Sequence, residues 1–210
     1  MKRSKVALLG LVAMAGMAAC DDSTGPGPDR SLTEAEASAM AEIFLGQTFA
    51  AGQHGVMGQQ AGPPLRAAAV VQVENELEIT LPCPLGGSVL SNRTLSGTVD
   101  QESGALDMQF RLVQTHQACV VQPPDSEVSF TLDGAPNLTG AYSLALDGMG
   151  GYHAEGTLAG AVAWAAEDRS GTCEVSLSFS GSGQAQGAFS LSLSGRVCDT
   201  TISHDVSVTP

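Results

Sequence analysis

Four histidines, five cysteines and a scatter of acidic turns are the residues of this 210-residue chain with the chemistry for a site. Ser203-His204-Asp205 places the three side-chain types of a hydrolytic triad side by side. A triad passes hydrogen bonds from nucleophile to base to carboxylate across a fold, whereas neighbours on a strand point to opposite faces. The run therefore reads as an edge strand with a partly exposed His204. His153 and Glu155 are two apart, so on a strand they share a face and offer an ion two ligands, without a third nearby. His54 and His116 stand in or near predicted loops with no companion group. The oxygen-rich turns around Asp100-Gln-Glu102 and Glu167-Asp168 lack the ligand spacing of a calcium loop. Nucleophile elbow, phosphate loop, His-Glu-x-x-His and dinucleotide fingerprint are all missing from the sequence. The reading is a non-enzyme with no catalytic residue, no metal and no cofactor. An enzyme would need His116, His153 or His204 to converge with a carboxylate in one cleft.

The cysteines read as staples. Cys83 and Cys119 are centred on the turn at 100–104, and Cys173 and Cys198 on the glycine-rich stretch 181–187. In an antiparallel hairpin, residues equidistant from the turn face each other, so each pair bridges its own hairpin base. The spacing predicts disulfides Cys83–Cys119 and Cys173–Cys198, the one connectivity of three in which both pairs bracket a turn. A structural zinc site would want cysteine pairs about two to four residues apart, and the sequence has none.

Cys20 is left over. It follows Lys2, Arg3 and Lys5, then an apolar stretch from Val6 to Ala15, then Met17-Ala18-Ala19. Basic, apolar and small residues in that order form an export signal, with an apolar run too short for a permanent span. The Met-Ala-Ala-Cys ending resembles the lipobox of bacterial lipoproteins. The resemblance covers the first twenty residues and implies that Cys20 becomes the lipidated first residue of the mature chain, carrying acyl chains such as palmitate. An ordinary signal cut would instead leave Cys20 a free thiol in an oxidising compartment, where an even number of cysteines is expected. Residues 21–30 are polar and rich in Gly and Pro, a tether reaching at most about 35 Å. The expected localisation is the bacterial cell envelope, on the periplasmic or cell-surface face of a membrane.

Loss of the signal leaves six basic against 22 acidic residues, a formal charge of −16 with no lysine. So acidic a surface repels phosphate backbones, which argues against nucleic-acid binding.

One helix is predicted at 32–50. Ser31 and Glu34 form a capping box, and Ala37, Met40, Ala41, Ile43, Phe44 and Phe49 share a face, with Gly46 or Gly52 as stop signals. Residues 51–66 read as a loop. From Val70 the period becomes two: Val71, Val73, Leu77, Ile79 and Leu81 alternate with Gln72, Glu74, Glu76, Glu78 and Thr80, and the texture recurs to the end of the chain. Polar and Gly-rich clusters divide it into about nine strands.

Leu95-Ser-Gly97, Leu158-Ala-Gly160 and Leu193-Ser-Gly195 repeat a pattern with glycine where a core side chain is expected, marking bends or close backbone approach rather than room for a ligand. Short connections imply antiparallel pairing. The expected fold is mainly β: an antiparallel curved meander or partly closed barrel with one N-terminal helix, a β-sandwich being the alternative. The organisation is signal peptide 1–19, lipidated cysteine and tether 20–30, helix and loop 31–66, and antiparallel β domain 67–210. The expected function is a structural or interaction module, with an envelope protein as partner and the membrane held through the lipid. The alternative is a carrier that encloses a small hydrophobic ligand between sheet and helix.

Overall fold

The structure is a computed structural model that describes residues 32–57, 70–123, 126–184 and 189–208. Among these residues one helix, α1 (Glu34–Met57), precedes nine strands: β1 (Val70–Pro82), β2 (Ser88–Asp100), β3 (Leu106–Gln117), β4 (Cys119–Val121), β5 (Phe130–Leu146), β6 (Gly151–Ala166), β7 (Arg169–Gln184), β8 (Phe189–Val197) and β9 (Thr200–Val208). They form a single antiparallel sheet in the order β1-β2-β3-β5-β6-β7-β8-β9, with β4 paired to β5. This is the open meander and not a sandwich, since one sheet accounts for every described strand.

Eight strands side by side span roughly 34 Å, about three times the width of a helix. Yet α1 touches β1 at one end of the order and β8 and β9 at the other. The sheet must therefore curl around the helix. The curl shows at the repeated glycines. Gly160 and Gly195 have φ of 143° and 141°, and a Cβ at either would strike the carbonyl oxygen of Asn137 or Ser176 on the neighbouring strand. At Gly97 the same strike falls on the Asp107 carbonyl. Neighbouring backbone fills these places, as close approach requires and a ligand pocket does not.

Inward positions of β3, β7 and β8, such as Met108, Phe110, Leu112, Val175, Leu177, Leu191 and Leu193, are buried, while the residues between them are exposed. The outer face of β7 carries Ser176, Ser178 and Ser180 in water. From α1, Met40, Ala41 and Phe44 are fully buried on the inner face. Each large side chain of this kind contributes about 1.5–3 kcal/mol.

Several boundaries differ from the pattern. Phe130 to Leu132 and Tyr142 to Leu146 belong to one long strand, β5, which continues through residues 133–137 by a register shift between Gly134 and Leu138. A bulge absorbs extra residues without ending a strand. Likewise Gly181 to Gly183 lie inside β7. The short β4 was not visible as a period. The helix runs through Gly46 and Gly52 to Met57, so residues 51–57 and His54 are helical and not loop. A helical glycine costs about 1 kcal/mol relative to alanine, and burial along the apolar face outweighs it. The capping box is Thr33 with Glu36: the Glu36 amide donates to Thr33 Oγ1 at 3.2 Å, and Thr33 N–H donates to Glu36 Oε2 at 2.8 Å. Leu32 before the cap and Ala37 in the next turn are both buried, a hydrophobic staple. Ser31 and Cys20 lie outside the described residues.

Both predicted disulfides are present. Cys83–Cys119 (Cα–Cα 5.5 Å) closes the base of the β2–β3 hairpin just beyond its last pair, Ser88 with Gln117. Cys173–Cys198 (Cα–Cα 4.3 Å) closes the β7–β8 hairpin beside the pair Val175 and Val197. Cys198 and Asp199 form the two-residue β8–β9 turn with φ of 50° and 68°, the left-handed pair that a tight hairpin requires.

Candidate functional site

The helix is pinned across the sheet by polar groups, and these contain every chemically versatile side chain buried in the domain's described residues. At its N-terminal end, Glu36 receives a forked pair from Arg169, 2.6 Å from Nη2 to Oε1 and 3.3 Å from Nη1 to Oε2. Arg169 also lies 5.9 Å over the Trp164 ring. The guanidinium holds the Glu36 carboxyl below the usual carboxylate range, and Glu36 raises Arg169 in return. With side chains only 20% and 14% exposed, the pair is a lock and not a surface decoration.

The middle of the helix, at Gln47 and Thr48, sits on a polar seam of β2 and β3. Register pairs Val89 with His116, Ser91 with Gln114 and Arg93 with Leu112. Arg93 is 4% exposed. Its Nε donates to Ser91 Oγ at 3.0 Å, its Nη1 to Tyr142 Oη at 3.2 Å, and its Nη2 to the Thr48 carbonyl of α1 at 2.7 Å. Among the described residues no carboxylate forms an ion pair with it. Burial lowers the Arg93 pKa and raises that of the Tyr142 phenol, each softened by the other. Three neutral oxygens thus carry a buried charge, which fixes where the helix must lie.

His116 is buried, and its Nε2 stands 3.0 Å from Gln47 Oε1. The Gln47 amide in turn donates to the Cys119 sulfur at 3.6 Å. The Phe44 ring meets the imidazole edge-on at 5.7 Å. Burial pushes the imidazole pKa down to about 4, so at neutral pH it is uncharged. His116 Nδ1 and both amide atoms of Gln114, itself fully buried, have no hydrogen-bond partner among the described residues.

The other sequence candidates stay apart. His153 Nε2 lies 3.6 Å from Glu155 on the outer face, both side chains more than half exposed. His204 Nε2 lies 3.1 Å from Glu42 of α1 and turns away from its sequence neighbours, while Asp205 accepts from Ser192 Oγ at 2.7 Å. Each of His116, His153 and His204 has a different partner. Among the described residues no group of three or more His, Cys, Asp and Glu is placed to hold a metal. The arrangement orients α1; its chemistry is hydrogen bonding.

Ser91, Arg93 and Gln114 escaped the sequence reading because a polar residue in an alternating strand is taken to face water. Parity was the available signal. Ser91 and Arg93 share the odd positions of Val89 and Leu95, and Gln114 and His116 the even positions of Phe110 and Leu112.

Beside the seam, an open groove of about 450 Å³ separates α1 from the β1–β2 turn, lined among others by Ile43, Gly46, Gln47, Leu81, Cys83 and Val121. Among the described residues no helix is long and apolar enough to cross a membrane. No protein-family model matches the chain, and neither a curated protein nor a solved structure is significantly similar to it.

Proposed function

We propose that this protein is a membrane-anchored lipoprotein of the bacterial cell envelope that works without catalysis, as a structural or interaction module. The observation that carries the reading is that the curled sheet is filled by the protein's own helix: Met40 and Phe44 are fully buried, and Arg93, His116 and Arg169 hold the helix in place. A domain packed with its own helix offers partners its surfaces and edges. The anchor rests on the signal and Cys20. At about 0.8 kcal/mol per buried methylene, two acyl chains on Cys20 keep the protein on its membrane. A charge of −16 holds the domain off anionic headgroups at the end of its tether.

A carrier of a small hydrophobic ligand is the second reading, favoured by the groove between α1 and the β1–β2 turn. Two measurements on protein extracted from its membrane separate the readings. Mass spectrometry of the N-terminal peptide is expected to find acyl chains on Cys20, and an unmodified terminus removes the anchor. Native mass spectrometry is expected to find no further lipid, and a stoichiometric one moves the assignment to the carrier.

A further inference from the structure

The two edges of the sheet are finished differently. On β9, Ile202 is buried and His204 is tied to Glu42 of α1. On β1, all thirteen residues pair with β2, and among the described residues no strand pairs with the opposite edge. Its inward side chains Val71, Val73, Leu77, Ile79 and Leu81 are each only partly buried, although their counterparts on β3, β7 and β8 are buried. The groove between α1 and Leu81 opens beside them. A strand laid along β1 would satisfy its backbone groups and cover these apolar side chains.

The outward face of the same strand selects the occupant. Glu74, Glu76 and Glu78 stand exposed at every second position, and none forms an ion pair among the described residues. Like charges directly opposite each other on paired strands are destabilising, so a second copy pairing β1 to β1 is opposed by its own glutamates. Nor do the described residues include a strand to offer in exchange, because no described strand carries more than one arginine and none carries lysine. We propose that β1 is a docking edge for a strand of another protein that alternates basic with apolar side chains, the basic ones meeting Glu74, Glu76 and Glu78 and the apolar ones covering Leu77, Ile79 and Leu81. This names the partner chemistry of the interaction module proposed above and rests on that reading.

The test uses the full chain in uncharged detergent and a synthetic nine-residue peptide of alternating lysine and valine. The expected result is binding that slows hydrogen exchange of alternate β1 amides at least tenfold and leaves β9 unchanged. Binding should weaken at least tenfold with Glu74→Gln/Glu76→Gln/Glu78→Gln, and equally when the peptide amides facing β1 are methylated. Equal binding by a scrambled peptide of the same composition, indifference to the triple substitution, protection elsewhere, or a β1-paired dimer in sedimentation would each overturn the proposal. A failed peptide with Cys20 acylated and no ligand bound removes this proposal and leaves the module standing; an unmodified Cys20 or a co-purified lipid strikes the module itself.

Discussion

The inner face of the sheet has two halves built on opposite terms. Under β6, β7 and β8 it is apolar, with Leu158, Val162, Trp164, Val175, Leu177 and Leu193 all buried. Under β2 and β3 it holds Ser91, Arg93, Gln114 and His116, equally buried. Apolar contact is indifferent to small shifts of register, whereas hydrogen bonds hold at one distance and angle. The first half supplies stability, and the second sets the position of α1 through the Thr48 carbonyl and Gln47.

The comparison can be broken at its apolar side first. Trp164→Ala should cost about 4 kcal/mol in urea unfolding, since it empties a large site and removes the ring under Arg169. Replacing both Cys173 and Cys198 by serine, which opens a 25-residue separation beside the same half, should cost roughly 3–4 kcal/mol by the same measurement.

The polar side answers to pH. His116 is pushed to about 4 in the fold against its ordinary value of 6.5, so between these limits the unfolded chain binds the extra proton. Its contribution is therefore complete above pH 6.5, falls by about 3 kcal/mol on the way to pH 4, and is flat below. Stability curves of the wild type and His116→Leu should converge across that window. Smaller still, Gln114→Met should stabilise by about 1–2 kcal/mol, because it withdraws an amide whose two polar atoms find no partner among the described residues.

The apolar half was the legible one. Val175, Leu177 and Phe179 announce a strand and its buried face together, and paired cysteine spacing located both staples. The polar half was illegible for the same reason: period-two reasoning assigns faces by polarity, and Arg93 and Gln114 are polar side chains at positions whose parity is that of the core. Gly181 to Gly183 misled in another way, because a glycine-rich stretch reads as a turn and here lies inside β7. The capping box was found in kind and misplaced by two residues, since both Ser31 and Thr33 precede a glutamate by three.

Everything rests on α1 being part of the core and not a cover. Native-state hydrogen exchange tests this most directly, because a segment that opens by itself exchanges at a lower free energy than global unfolding. The amides of residues 40–48 should open with the same free energy and denaturant dependence as those at the centre of β6 and β7. Exchange of the helix through a separate, cheaper opening while β6 and β7 stay protected would contradict the account and make α1 a lid over a binding site.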